Sequence, residues 1–294
     1  MISIITCSIS PEMQSELKEN IDITIGVKHE FIAFDNRERK WGICKVYNYC
    51  ASLSKYTYLC FVHEDMYFHT QNWGQELVKF YQNNYNVGVI GFSGSDIVPK
   101  DFVEWNINRF HSKTYITFAD KISLPMSSFK RFFNYKNDYE PVIVLDGMFL
   151  FVSKMIWNEN RFDEFNYNNF HIYDTDFSFS VSRHYLNYVC SKILATHRCH
   201  SKLNNIYIDG LHKFRNKWRH EIPTSLNRSS VIINILTRYQ QFYKNHMLYK
   251  KNGYSLSMTY KQLKKSYKNI NTMYLLMIFH RYISIFTNIK IRRF

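Results

Sequence analysis

Short apolar runs, each stopped by a polar cluster and followed by a segment with helical spacing, alternate along the first hundred residues of this 294-residue chain. Residues 2–6 are largely β-branched and give way to Ser8-Ile9-Ser10-Pro11, while residues 12–20 are strong helix formers. Residues 29–34 close at Asp35-Asn36, and residues 42–53 place Ile43, Val46, Tyr47, Cys50 and Leu53 at helical spacing. Residues 58–62 stop at His63-Glu64-Asp65, and a further helical segment, 73–81, leads to the run 87–92. Strand, helix, strand, helix, strand predicts an α/β fold, a mostly parallel sheet flanked by helices. Such sheets bind ligands at the carboxyl ends of their strands, so Asp35-Asn36 and His63-Glu64-Asp65 are expected in one cleft.

Residues 96–140 are less regular, rich in aromatics and Lys, and read as a long insertion or acceptor-side loop region. Trp105, His111, Phe129 and Tyr135 there suit the face of a sugar ring, but core packing is the commoner fate of aromatics, and none is singled out. The apolar stretch 142–152 is broken by Asp146-Gly147. An acidic, aromatic stretch follows at 162–176, then a helix over 177–186, a strand over 188–195 and the pair His197/His200. There is no internal repeat and no Gly-rich phosphate loop.

The chain is 46% apolar and 18% aromatic, which supplies a substantial core and excludes a wholly disordered protein. No apolar stretch reaches the ~18 residues of a spanning helix, and the N-terminus carries no secretory pattern. Six cysteines without a CxxC pair fit reduced thiols in the cytoplasm. The charge is divided unevenly. Residues 201–294 hold 18 Lys and Arg against Asp209 and Glu221, a balance of +16, whereas residues 1–200 balance at −2. A basic tail of this kind points to an acidic partner, nucleic acid or an anionic membrane face. Residues 231–247 and 273–294 have apolar and aromatic residues at helical spacing among basic ones, which suits a bilayer interface, a helix docked on its own domain or a contact with a second subunit. The expected division is a domain over 1–223 and a helical, basic C-terminal extension over 224–294.

Carboxylates at a strand's end can hold a hard divalent cation that neutralises phosphates. The cluster at 63–65 gains weight from Asp174-Thr175-Asp176 and from His197 and His200, which also flank strand-like segments. Asp35-Asn36 is also a common turn pair, and Asp176 a natural N-cap for a helix over 177–186.

In their order and spacing, these pieces resemble the GT-A-fold glycosyltransferases, particularly the bacterial family-2-like group, over residues 1 to about 223. They run from 2–6, 31–36, 46–48, 61–65, 87–95 and 145–147 to 162–164, 170–178, His197 and 214–218. The resemblance implies a nucleotide-diphospho-sugar transferase fold in which Thr6, Asp35, Asn36, Asn48 and Glu64 grip the nucleotide. His63-Glu64-Asp65 stands where the family has its metal-binding DxD, with Asp65 on the main carboxylate and His63 in place of the first Asp. His197 completes the site, with His200 in reserve, around Mn²⁺ or Mg²⁺. Asp174 matches the catalytic base, with Asp176 second, and Tyr173 stands where Glu is usual. Asp146-Gly147 matches the acceptor-side loop, where Gly permits close backbone approach.

The expected function is metal-dependent, inverting transfer of a sugar from a nucleotide-sugar donor, UDP-linked by expectation, onto a bacterial surface glycan. The acceptor would be a glycan or a lipid-linked glycan met at the inner membrane face, with the tail on the anionic surface or in an oligomer contact. Two alternatives stand beside it: a nucleic-acid-binding protein using the Tyr-rich tail, and a non-catalytic scaffold of the same fold. The tail has no nucleic-acid motif and the acidic cleft would then lack a purpose, so no nucleic-acid partner is expected.

Overall fold

A computed structural model of the chain describes residues 1–118, 137–198 and 203–286. The first part runs β1 (Ile2–Ser8), α1 (Pro11–Thr24), β2 (His29–Asp35), α2 (Ile43–Leu53), β3 (Tyr58–Val62), β4 (Met66–Phe68), α3 (Trp73–Asn83) and β5 (Val87–Gly91). Short strands follow: β6 (Ser93–Ser95), β7 (Ile97–Val98), β8 (Ser112–Thr114) and β9 (Thr117–Phe118). Next come β10 (Tyr139–Val142), β11 (Val144–Leu145), β12 (Phe149–Ser153), α4 (Lys154–Glu159), α5 (Tyr173–Ser182), β13 (Leu186–Cys190) and β14 (Ala195–His197). The chain continues through α6 (Asn205–Lys217), β15 (Thr224–Ser225), α7 (Val231–Lys251), α8 (Leu256–Lys264) and α9 (Ile270–Phe286).

The main sheet has seven strands in the order β10-β13-β5-β12-β3-β1-β2. β1 pairs in parallel with β2 and β3, and β13 with β5, while β12 lies antiparallel between β3 and β5. Five strands therefore share one direction and end at one edge. Because successive side chains alternate between faces, each strand feeds two cores. Ile2, Ile4, Cys60, Val62, Phe149 and Phe151 pack with Leu17 and Ile21 of α1 and Trp73 and Leu77 of α3. Ile5, Leu59, Phe61, Leu150 and Val152 face α2 and α5 in the other core, which also takes in Phe242 of α7 and Tyr267. α1 starts where expected, on the Ser10 cap with Pro11 in its first turn.

Two elements differ from expectation. The helix expected over 177–186 begins at Tyr173, so Asp174 and Asp176 both lie in its first turn, at the positive end of the helix dipole. Asp176 is thus inside the helix and not its cap. The strand expected over 188–195 is divided in two. Ser191 N–H bonds to the Asp138 carbonyl and His69 N–H to that of Leu194, which turns the chain out of the main sheet into β14.

β13 is locked by Asn187, which is fully buried. Its amide oxygen accepts from Val89 N–H at 2.9 Å, and its amide nitrogen donates to the carbonyls of Ile143 at 2.8 Å and Ser178 at 2.7 Å. One side chain joins β13, β5, α5 and the turn before β11. Asn187→Ala would strand three buried backbone groups and is expected to lower unfolding free energy by about 3 kcal/mol, read from urea midpoints at unchanged slope.

Candidate active site at the carboxyl edge of the sheet

β3 ends at Val62, and the next residues turn back into β4, which pairs antiparallel with β14 in a separate three-stranded sheet. The register sets His197 opposite Met66, beside Asp65. His197 Nε2 lies 3.2 Å from Asp65 Oδ1 and 3.4 Å from His63 Nδ1. One ligand atom from each of His63, Asp65 and His197 falls within 4.8 Å of the others, the one such metal-competent cluster among the described residues.

β12 is antiparallel, so it enters the sheet from the edge where β3 leaves it. Val62 pairs with Phe149, and His63 N–H bonds to the Met148 carbonyl at 3.0 Å. Asp146 and Gly147 are thereby placed among the strand ends. Tyr173, in the first turn of α5, connects the two groups: its hydroxyl is 2.7 Å from His63 Nε2 and 3.1 Å from the Gly147 carbonyl. A carbonyl can only accept, so the phenol proton goes to Gly147 and the phenol oxygen accepts from His63 Nε2–H. That tautomer leaves the Nδ1 lone pair facing Asp65 and His197. Burial, and then the charge of His197, lower the His63 pKa to about 4, so its ring is neutral, as a ligand must be. Burial raises Asp65, but hydrogen bonding and charge from His197 outweigh it and hold the carboxyl below its usual range.

Gly147 N–H donates to Asp174 Oδ2 at 2.8 Å. A Cβ on Gly147 would collide with the Tyr173 hydroxyl, so glycine is required by close approach. Asp146 accepts from Trp105 Nε1 at 2.5 Å and from Met148 N–H at 3.0 Å. Burial, and then the Asp146 charge, push the Asp174 carboxyl well above its ordinary range, and burial raises Asp146 as well. This is the environment that makes a carboxylate a competent base near neutral pH.

The other residues expected at the site divide. Thr6, buried near the end of β1, has a hydroxyl with no hydrogen-bond partner among the described residues, and Asp35 ends the neighbouring strand in an exposed pair with Arg37 at 2.6 Å. Three residues expected at the nucleotide are bonded to other parts of the chain. Asn36 closes a turn through Trp41 N–H at 2.8 Å and the Trp41 carbonyl at 2.9 Å. Asn48 bonds to both backbone groups of Phe162, to Glu164 and to Trp157. Glu64 accepts from Ser8 Oγ at 2.6 Å and from the backbone of Ile9 and Ser10, tying β1 to β3. Asp176, expected as the second catalytic carboxylate, is buried and bonded to Lys217 at 2.8 Å, Trp218 at 2.7 Å and Tyr167 at 3.1 Å. It fastens α6 to α5. His200, Phe129 and Tyr135 lie outside the described residues, and His111 is buried against Asp96 at 2.8 Å. Sequence reasoning gave no role to Tyr173 and offered Trp105 only as a stacking ring. The signal for Tyr173 was its place beside Asp174 where an acid is usual.

The sheet order and the metal-competent cluster at its carboxyl edge describe an α/β fold with a candidate metal site where the parallel strands end. Residues 3–221 match the family model described as "Glycosyltransferase like family", and the chain belongs to that glycosyltransferase family. Among solved structures, 98% of the chain matches 81% of the mannosyltransferase PcManGT from Pyrobaculum calidifontis in complex with GDP-Man and Mn²⁺, with a TM-score of 0.51 and 8% identity. A second likeness, to GalNAc-T7 with UDP, GalNAc and Mn²⁺, has a TM-score of 0.51 and 9% identity and covers 72% of this chain and 47% of that one. The chain thus spans about half the length of GalNAc-T7. These likenesses are of fold. No curated protein sequence matches.

Two outcomes follow from the geometry. Tyr173→Phe frees the His63 ring to take the other tautomer, and titration of Mn²⁺ and of Mg²⁺ by calorimetry is expected to show at least about tenfold weaker binding of whichever ion the wild type takes. The folded state raises the Asp174 pKa, so wild-type stability is fully present below the unfolded value and falls as pH rises through the folded one. In chelated protein, Asp174→Asn should melt higher than wild type at pH 8, by about 1 kcal/mol or more, with the gap closing at pH 4.

Proposed function

We propose that the chain is a metal-dependent, inverting glycosyltransferase that moves a sugar from a UDP-linked donor onto a bacterial surface glycan, free or lipid-linked, at the inner face of the cell membrane. One observation carries this reading: Tyr173 and Gly147 join the His63/Asp65/His197 cluster to the Asp146/Asp174 pair at one edge of the sheet. His63 Nδ1, Asp65 Oδ1 and His197 Nε2 would hold the ion. Two imidazoles with one carboxylate suit Mn²⁺ better than Mg²⁺, which prefers oxygen donors. When bound, the ion supplies Lewis-acid neutralisation of the departing diphosphate.

Asp174 takes the proton of the acceptor hydroxyl as that oxygen bonds to the anomeric carbon. The bond from this carbon to the diphosphate oxygen breaks, and the nucleoside diphosphate leaves. A single displacement of this kind inverts the anomeric centre. Gly147 N–H fixes one oxygen of the base, and Trp105 fixes Asp146, which shapes the acceptor side. Thr6 and Asp35, on adjacent strands, are the residues we assign to the nucleoside.

Melting with UDP, GDP, CDP and ADP, each with and without Mn²⁺, tests the donor site. A rise specific to UDP and dependent on Mn²⁺ is expected, because a ligand bound only by the folded state raises the melting temperature. No rise with any nucleotide refutes the reading. Asp174→Asn should lose about 10²–10⁴-fold in transfer while keeping the UDP–Mn²⁺ rise; full activity would remove Asp174 as base.

A further inference from the structure

Helix α7 is docked through polar residues set among the buried Phe242, Leu248 and Tyr249. Its buried residues include Thr237, Gln241 and Asn245, which bond to Asn108 Nδ2 at 2.9 Å, Val103 N–H at 3.1 Å and the Asp101 carbonyl at 2.9 Å. The opposite side of its first two turns is apolar and open: Val231 is 73%, Ile232 71% and Ile235 56% exposed. Further along, the same stripe is covered. Phe242 and His246 meet Tyr274 of α9, with ring centroids 5.1 and 5.5 Å apart, and Tyr239 bonds to His280 at 2.9 Å. α9 therefore lies over the stripe, and its own outer face is also apolar, with Leu275 67% and Ile278 60% exposed.

An open aliphatic face of this kind, on the first two turns of the helix, marks an interaction surface. Among the described residues, no helix is long and apolar enough to cross a membrane. The charge selects the occupant. Residues 201–294 balance at +16, and Arg228, just before the helix, and Arg238, within it, are exposed. A second copy would set like charge against like, and nucleic acid offers no hydrocarbon to an aliphatic face. An anionic bilayer surface satisfies both features.

We infer that the first two turns of α7 and the outer face of α9 seat this protein on an anionic lipid surface, the aliphatics entering the acyl boundary and the basic residues meeting the headgroups. Position supports it. α7 docks on residues 101–108, the segment whose Trp105 bonds to Asp146, so the thickness of one helix separates the lipid face from that segment. The inference deepens the proposed function by naming the surface that meets the membrane, and rests on it only for the acceptor's location.

The test is sedimentation of the full chain with phosphatidylcholine vesicles, with and without a quarter of phosphatidylglycerol. The wild type should sediment with the anionic vesicles, and Ile232→Glu/Ile235→Glu should lower the partition coefficient at least about tenfold with the UDP–Mn²⁺ melting rise unchanged. Three results overturn the inference: no vesicle binding, equal binding by wild type and variant, or a wild-type dimer in ultracentrifugation that the variant dissolves. Loss of the melting rise in wild type would refute the transfer reading and leave the vesicle result standing.

Discussion

The phenol of Tyr173 has one proton and two partners, and most of the cleft is arranged around how it is shared. Given to the Gly147 carbonyl, the proton leaves the phenol oxygen to accept from His63 and turns the imidazole lone pair toward Asp65 and His197. The same contact requires a glycine at 147, because a Cβ there would occupy the place of the hydroxyl. The glycine's own N–H then holds Asp174. One hydrogen-bonding group thus sets the His63 tautomer, a backbone approach and the position of a carboxylate.

That arrangement depends in turn on the direction of one strand. Were β12 parallel to its neighbours, the residues preceding it would lie at the far edge of the sheet. Being antiparallel, it delivers Asp146 and Gly147 to the edge where β3 releases His63. β14 contributes His197, the third member of the metal-competent cluster, by lying outside the main sheet and pairing with β4. Two departures from a simple parallel sheet build the site, and the regular strands mainly supply the cores behind it.

Much of the regular part was legible in the sequence. The pattern of apolar runs and helical spacing gave β1, β2, β3 and β5 of the main sheet and the helices α1, α2 and α3, because the helices bury one stripe and the strands, packed on both faces, read as short apolar runs. The acidic and histidine clusters were legible as strand ends for the same reason. The bonds of Asn36, Asn48, Glu64 and Asp176 were not, since a polar residue that binds a ligand and one that ties two segments together look alike in one dimension. Asn48 reaches the loop at 162–164, across more than a hundred residues, and nothing local to it reports that distance. The division at Cys190 was equally hidden, because the turn is fixed by backbone bonds to Asp138 and His69, remote in sequence.

The inward polar residues of α7 have a mechanical consequence. Aliphatic packing lets a helix slide or roll by small amounts at little cost, whereas hydrogen bonds are directional and fail over fractions of an ångström. Three such bonds fix the register of α7 on residues 101–108, the segment whose Trp105 also bonds to Asp146, so a shift of the helix along its axis would break bonds and not merely slide one surface over another.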